Sequence, residues 1–273
     1  MHKTFDTPDP IQLYVELGSG DLVAHAEELA ETTVDVSGKD ADDVVVEQRG
    51  TEIVVLAKQQ RGGFFGGFRE LSVRVTMPSH SRLTTRFGSA DLRVTGRLGG
   101  ATLRTGSGDL DLEAVHGDVH VESGSGDLAI EEVTGRLEVK TGSGDVRLQR
   151  LHGPGQVATG SGDVSIGSAA ESVQVRSGSG DMRVREAEDD VSLNTASGDL
   201  VVDVMRRGQL TAKNVSGDIR VGVPGGVPVW TDISSVTGSV RSNLEGAGEP
   251  GEGQDHIELR ARTVSGDVHL QQL

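Results

Sequence analysis

The sequence predicts an all-β protein: a single-chain β-solenoid (β-helix) whose 18-residue coils each hold two short strands and two glycine turns, with irregular β caps at both ends. Three observations carry this reading. Ser-Gly-Asp, once Ser-Ala-Asp, ends at Asp91, Asp109, Asp127, Asp145, Asp163, Asp181 and Asp199, a constant step of 18 residues. Glycines at Gly108, Gly117, Gly126, Gly135, Gly144, Gly153 and Gly162 halve that step. Between the glycines the chain alternates, with Leu110, Leu112, Val119 and Val121 apolar against Asp111, Glu113, His120 and Glu122. Period-2 alternation bounded by glycine turns means strands. Such a short strand–turn unit buries its apolar face, and pairs its backbone groups, only by stacking on copies of itself.

Along the chain, residues 1–86 read as an N-terminal β cap merging into the solenoid. Strands are expected at Ile11–Leu17, Thr32–Val36, Val44–Glu47, Ile53–Ala57 and Leu71–Thr76, without the strict repeat. Residues 87–222 form the regular solenoid, some seven coils and roughly 35 Å long at a strand spacing of about 4.8 Å. The copy ending at Asp218 comes one residue late. Residues 223–273 read as looser terminal coils, interrupted by a Gly/Glu/Pro-rich loop at 243–254 and closed by Ser265-Gly266-Asp267. The apolar spacing has no period of six, which sets aside the hexapeptide left-handed helix.

Composition narrows the function classes. Acidic residues outnumber basic ones 42 to 26, so nucleic acid is not expected as a partner. There is no cysteine, hence no disulfide framework or thiolate metal site. No apolar run is long enough for a membrane span. The opening MHKTFDTPDP lacks the basic-then-apolar order of a secretory leader, so the expected location is cytoplasmic. Glycine is in surplus, 39 residues against about 19 for an average chain of this length. Of these, 22 fall between Gly88 and Gly217, within the repeat.

The Gly-Ser-Gly-Asp-Leu turns, the Met77-Pro78 step before the first repeat and the closing Val264-Ser265-Gly266-Asp267-Val268 together resemble the bacterial DUF4097 family of β-strand-repeat proteins, often labelled "putative adhesin". The resemblance spans nearly the whole chain. It implies the repeat architecture and, through the label, display outside the cell. It implies no catalytic residues.

Two features stand out as candidate sites. The first is the ladder Asp91, Asp109, Asp127, Asp145, Asp163, Asp181 and Asp199. Carboxylates stacked about 4.8 Å apart repel by roughly 0.9 kcal/mol per neighbour pair in water. Divalent cations would relieve that, as would hydrogen bonds from the backbone of each carboxylate's own turn, with glycine supplying φ > 0. The structural turn is the expectation, with no metal and no cofactor. The second is Arg61–Arg69, where Phe64, Phe65 and Phe68 sit among paired glycines and would either plug the core or contact a partner. His116, His120 and His152, and the acidic turn Glu186, Glu188, Asp189 and Asp190, read as solvated. Serine recurs with the repeat and has no paired base, so no enzyme is expected. The function expected is a non-enzymatic scaffold or protein-interaction module of a bacterial cell, its partner an unknown protein or another copy. The alternatives are end-to-end filaments, or a surface adhesin with cation-binding turns.

Overall fold

The computed structural model describes residues 1–57, 71–246, 248, 250–251 and 253–273. They form strands joined by tight turns, with one 3-10 turn at Ala41–Asp43 as the only helical element among them. No helix there is long and apolar enough to cross a membrane. The chain divides into two compact units, Met1–Arg136 and Leu137–Leu273.

Unit 1 begins with β1 (His2–Asp6), β2 (Gln12–Glu27), β3 (Glu31–Ser37), β4 (Val45–Arg49), β5 (Glu52–Leu56) and β6 (Leu71–Pro78). It continues with β7 (Arg82–Leu98), β8 (Gly100–Ser107), β9 (Leu110–Val115), β10 (Val119–Ser123) and β11 (Leu128–Val133). The two long strands β2 and β7 lie parallel over their whole length, Gln12 opposite Arg82 through Ala26 opposite Gly96. Each contributes to both faces of the solenoid. Beyond β7 the coils stack in two parallel columns, β7–β8–β10 and β7–β9–β11. On the other side β2 pairs parallel with β5 and β6, and the pairing then turns antiparallel in β4–β5, β3–β6 and β1–β3.

Unit 2 holds β12 (Leu137–Ser143), β13 (Val146–Leu151), β14 (Gly155–Ser161), β15 (Val164–Ala169), β16 (Val173–Ser179), β17 (Met182–Ala187) and β18 (Val191–Ser197). After these come β19 (Leu200–Met205), β20 (Gly208–Lys213), β21 (Ile219–Val223), β22 (Val229–Thr237), β23 (Val240–Ser242), β24 (Ile257–Ser265) and β25 (Val268–Gln272). Among the described residues every pairing within unit 2 is parallel. One column runs β12–β14–β16–β18–β20–β24–β22. The other runs β13–β15–β17–β19–β21–β25–β23. The last two coils are therefore interleaved: the chain makes the outermost coil first and returns to fill the place beneath it. Ser265-Gly266-Asp267, expected from sequence to close the solenoid, is the penultimate turn, and the degenerate Gly238-Ser239 turn is the outermost.

The core is a set of columns of like residues. Val146, Val164, Met182, Leu200, Ile219 and Val268 stack in register in unit 2, all nearly inaccessible to solvent. Parallel in-register stacking puts each inward residue over its counterpart one coil away, so aliphatic side chains fill the space without aromatics.

The turns set the limit on residue size. In the Gly-Ser-Gly-Asp turn, Gly162 has φ +121°, and a Cβ built there would stand 2.2 Å from the Gly144 carbonyl oxygen of the coil below. Gly160, first glycine of the same turn, would meet the Gly142 oxygen at 2.6 Å. Gly162→Ala is expected to cost about 2–4 kcal/mol in chemical denaturation, from positive-φ strain and backbone overlap together. Gly50→Ala, also at positive φ but with nothing within 4 Å, should cost about 1–2 kcal/mol; equal losses would show that stacking clearance is not the constraint.

Candidate functional site

The aspartate ladder forms hydrogen bonds between coils, not within its own turns. In unit 1, Asp91 Oδ1 accepts the backbone N–H of Asp109 at 2.9 Å, and Asp109 Oδ1 accepts that of Asp127 at 2.9 Å. In unit 2 the relay passes from Asp145 to Asp163, Asp181 and Asp199 at 2.8–3.0 Å. It continues from Asp199 to Asp218, from Asp218 to Asp267 and from Asp267 to Ser239 at 2.8–2.9 Å. The reason is geometric. With the peptide of the next coil stacked directly above, its N–H is the nearest donor to the carboxylate.

Charge in the ladder is also offset by arginines. Arg147 reaches Asp145 Oδ2 at 2.6 Å, and Arg220 bridges Asp199 and Asp218 at 3.3 and 2.9 Å. No group of three or more metal-ligating side chains occurs among the described residues. The carboxyl of Asp267 is held below the ordinary carboxylate range, chiefly by the backbone N–H of Ser239.

Three supports of the turns were not read from the sequence. Asp118 and Asp190, on the opposite turns, accept the N–H groups of Arg136 at 2.9 Å and Gln209 at 2.8 Å in the same way. Thr105, Ser123, Thr141, Thr159, Ser177 and Thr195 each donate a hydroxyl to the carbonyl two residues on, at 2.8–3.0 Å. Their 18-residue spacing was a visible signal. Where the repeat runs one residue late, Asn214 takes this place and its Nδ2 donates to the Gly198 and Gly217 carbonyls at 3.0 and 2.8 Å.

The remaining candidates disperse. His116 and His120 lie in unit 1, where His116 sits 5.6 Å from His80 ring to ring and His120 bonds Glu122 at 3.1 Å. His152 belongs to unit 2. In the acidic turn, Glu186 pairs with Arg206, while Asp189 and Asp190 each accept a backbone N–H. Phe64, Phe65 and Phe68 lie outside the described residues. A surface depression of about 490 Å³ is lined by Gln149, Arg150, Ser168, Arg185, Glu186 and Asp203 among others; the carboxylates beside its serine are engaged by arginines, Glu186 by Arg206 and Asp203 by Arg183. Outward ladders carry mixed charge, as in Arg104 with Glu122 at 3.0 Å and Arg183 with Asp203 at 2.9 Å.

Strands in two parallel columns, glycine turns and a carboxylate relay recur along the chain. Over that same span, residues 11–271, the Toastrack DUF4097 family model matches. The chain belongs to the Toastrack DUF4097 family. No curated protein matches this Toastrack chain. Among solved structures, a putative adhesin from Parabacteroides distasonis is similar over 99% of this chain and 96% of its own, at 14% identity and a TM-score of 0.51. A putative adhesin from Bacteroides fragilis matches at 11% identity over 100% of this chain and 96% of that one, TM-score 0.38. A putative lipid binding protein from Parabacteroides distasonis matches at 12% identity over 100% and 96%, TM-score 0.32. At 14% identity the likeness to the Parabacteroides distasonis putative adhesin is one of fold.

Two measurements check the ladder. Asp163→Ala should lose about 1 kcal/mol of stability, while Asp163→Asn, which keeps an acceptor oxygen, should lose less than about 0.5; equal losses would deny the hydrogen bond its role. Because the folded-state pKa of Asp267 is depressed, its contribution is present above the unfolded value of about 3.9 and is lost as pH falls through the folded value. Protection of the Ser239 amide, taken relative to its intrinsic exchange rate at each pH, should therefore fall only below the ordinary carboxylate range of about pH 4 and stay unaffected by this group between about pH 5 and 8, and Asp267→Asn should flatten the acid limb.

Proposed function

We propose that this Toastrack chain is a non-enzymatic scaffold or protein-interaction module of a bacterial cell, working in the cytoplasm. The observation that supports it best is the occupation of the ladder carboxylates. The groups a catalytic or cation site would need are engaged by backbone N–H donors and arginines, and the outward faces present alternating charge suited to protein contact. The Phe64/Phe65 segment is proposed as one contact point, and residues 1–86 as a cap that blocks one open edge of the solenoid.

A second reading, a surface adhesin with cation-binding turns, draws on the name of the Parabacteroides distasonis putative adhesin. Calorimetry with Ca²⁺ separates the two: no heat and no melting shift with EDTA are expected, and saturable binding with a raised Tm would favour the adhesin. Cell fractionation tests the location. Affinity purification from the native cell, with Phe64→Ser/Phe65→Ser as control, tests the module: a partner retained by the natural chain and lost by the variant is the expected outcome, provided both melt alike.

A further inference from the structure

We propose that β22, the outermost strand of unit 2, is a self-pairing edge through which two copies of this chain join antiparallel into a closed dimer. This names a partner and a stretch of chain other than Phe64/Phe65, so either reading can fail alone.

The large apolar side chains most exposed to solvent among the described residues are Val215, Trp230, Val236, Val240, Val264 and Leu273, and all follow residue 214. Three form one ridge. Val215, Val264 and Val236 occupy the turn position that is glycine at Gly142, Gly160 and Gly178, and they stack in register on the last three coils. Trp230, 53% exposed, stands on the same strand as Val236, 74% exposed.

β22 pairs with β24 and with no other described strand. Pro228 O accepts the N–H of Ile257 at 2.9 Å. In a parallel strand alternate residues turn their peptide groups to the same neighbour, so residues 228, 230, 232 and 234 face β24; the alternation breaks at Val236, beyond which the Thr237 carbonyl accepts the Gly266 N–H at 3.2 Å. The N–H and C=O groups of 229, 231, 233 and 235 face the open side. The devices that usually blunt such an edge are missing here: no proline, no lysine, and one charge, Asp232, which Arg262 holds at 3.2 Å.

The strand complements itself. Antiparallel pairing about Ile233 sets Trp230 opposite the second copy's Val236, Thr231 opposite Ser235, Asp232 opposite Ser234, and Ile233 opposite Ile233. The open peptide groups at 231, 233 and 235 then meet in hydrogen-bonded pairs. Trp230 and Val236 fall in the non-hydrogen-bonded pairs, where side chains approach most closely. No carboxylate faces a carboxylate. The Arg260 guanidinium, 5.6 Å from the Trp230 ring, covers each aromatic from its own coil.

Assembly stops at two. The edge strands of unit 1, β1 and β4, are five residues each and carry Lys3, Asp6, Glu47 and Arg49. Lys3 Nζ also donates to the Val46 carbonyl, tying one edge to the other. They offer no long apolar strand for β22 to extend upon, the other outer strand of unit 2, β23, is only three residues long, and a two-fold pairing uses up the β22 edge of both copies.

Sedimentation of the full chain tests this. The natural chain is expected to be a dimer with Kd of about 1–50 µM, as suits a small interface. Trp230 is the sole tryptophan, so its emission should shift red on dilution through the same range. Trp230→Glu and Val236→Lys each alter the interface twice and should each weaken the dimer about tenfold or more. Combined, they set the introduced glutamate of one copy against the introduced lysine of the other and should recover much of the loss, which a merely apolar surface would not do. Both positions are exposed, so melting measured well below the dimer Kd, where every variant is monomeric, should be nearly unchanged. A monomer up to about 200 µM, a dimer indifferent to either single substitution, no recovery in the double variant, or growth into filaments would each overturn the proposal.

Discussion

Backbone stacked directly on backbone is the constraint from which the rest of this protein follows. At a coil spacing of about 4.8 Å, the turn of one coil leaves no room for a side chain over the turn below, as the 2.2 Å clearance at Gly162 shows. Glycine is thereby required twice in each Gly-Ser-Gly-Asp turn. Once the turns lie in register, every strand residue lies over its counterpart. Core columns, outward charge pairs and hydroxyl supports then repeat without further specification. The carboxylates obey the same rule, because the donor best placed for each belongs to the next coil.

Much of this architecture was legible from residues. Alternation around Leu110, Leu112, Val119 and Val121 placed the strands, and the 18-residue step from Asp91 to Asp199 placed the coils, because both report directly on stacking. The carboxylate hydrogen bonds were harder to read: spacing shows that Asp109 and Asp127 align but not which N–H each one accepts. The role of Asp118 went unread, and Asp190 was read only as part of a solvated acidic turn, because their turns do not repeat in composition. The interleaving of β22 and β24 left no trace either. Residues 229–242 and 257–272 carry compatible patterns, and nothing local says which lies outermost.

A repeat this regular concentrates individuality in its exceptions. The arginines, hydroxyls and carboxylates of the turns serve the coil itself, so chemistry that distinguishes one Toastrack chain from another belongs where the pattern lapses. In unit 2 the lapse is progressive: glycine at 178, alanine at 196, then valine at 215, 264 and 236. Along these last coils apolar side chains take the place of bare backbone at the first position of the turn.

The interleaved order of the last coils also bears on how the protein is made. A chain synthesised from its N-terminus can lay down coils one upon another as far as β21, each using the previous coil as template. At β22 the rule breaks, since the strand on which it finally rests has not yet been made. Residues 229–242 must either wait for 257–272 or settle on β20 and β21 and later be displaced. The outermost coil is thus the one part of unit 2 whose final place depends on sequence still to come, and the number of residues between Ser242 and Ile257 gives the chain the length to return beneath it.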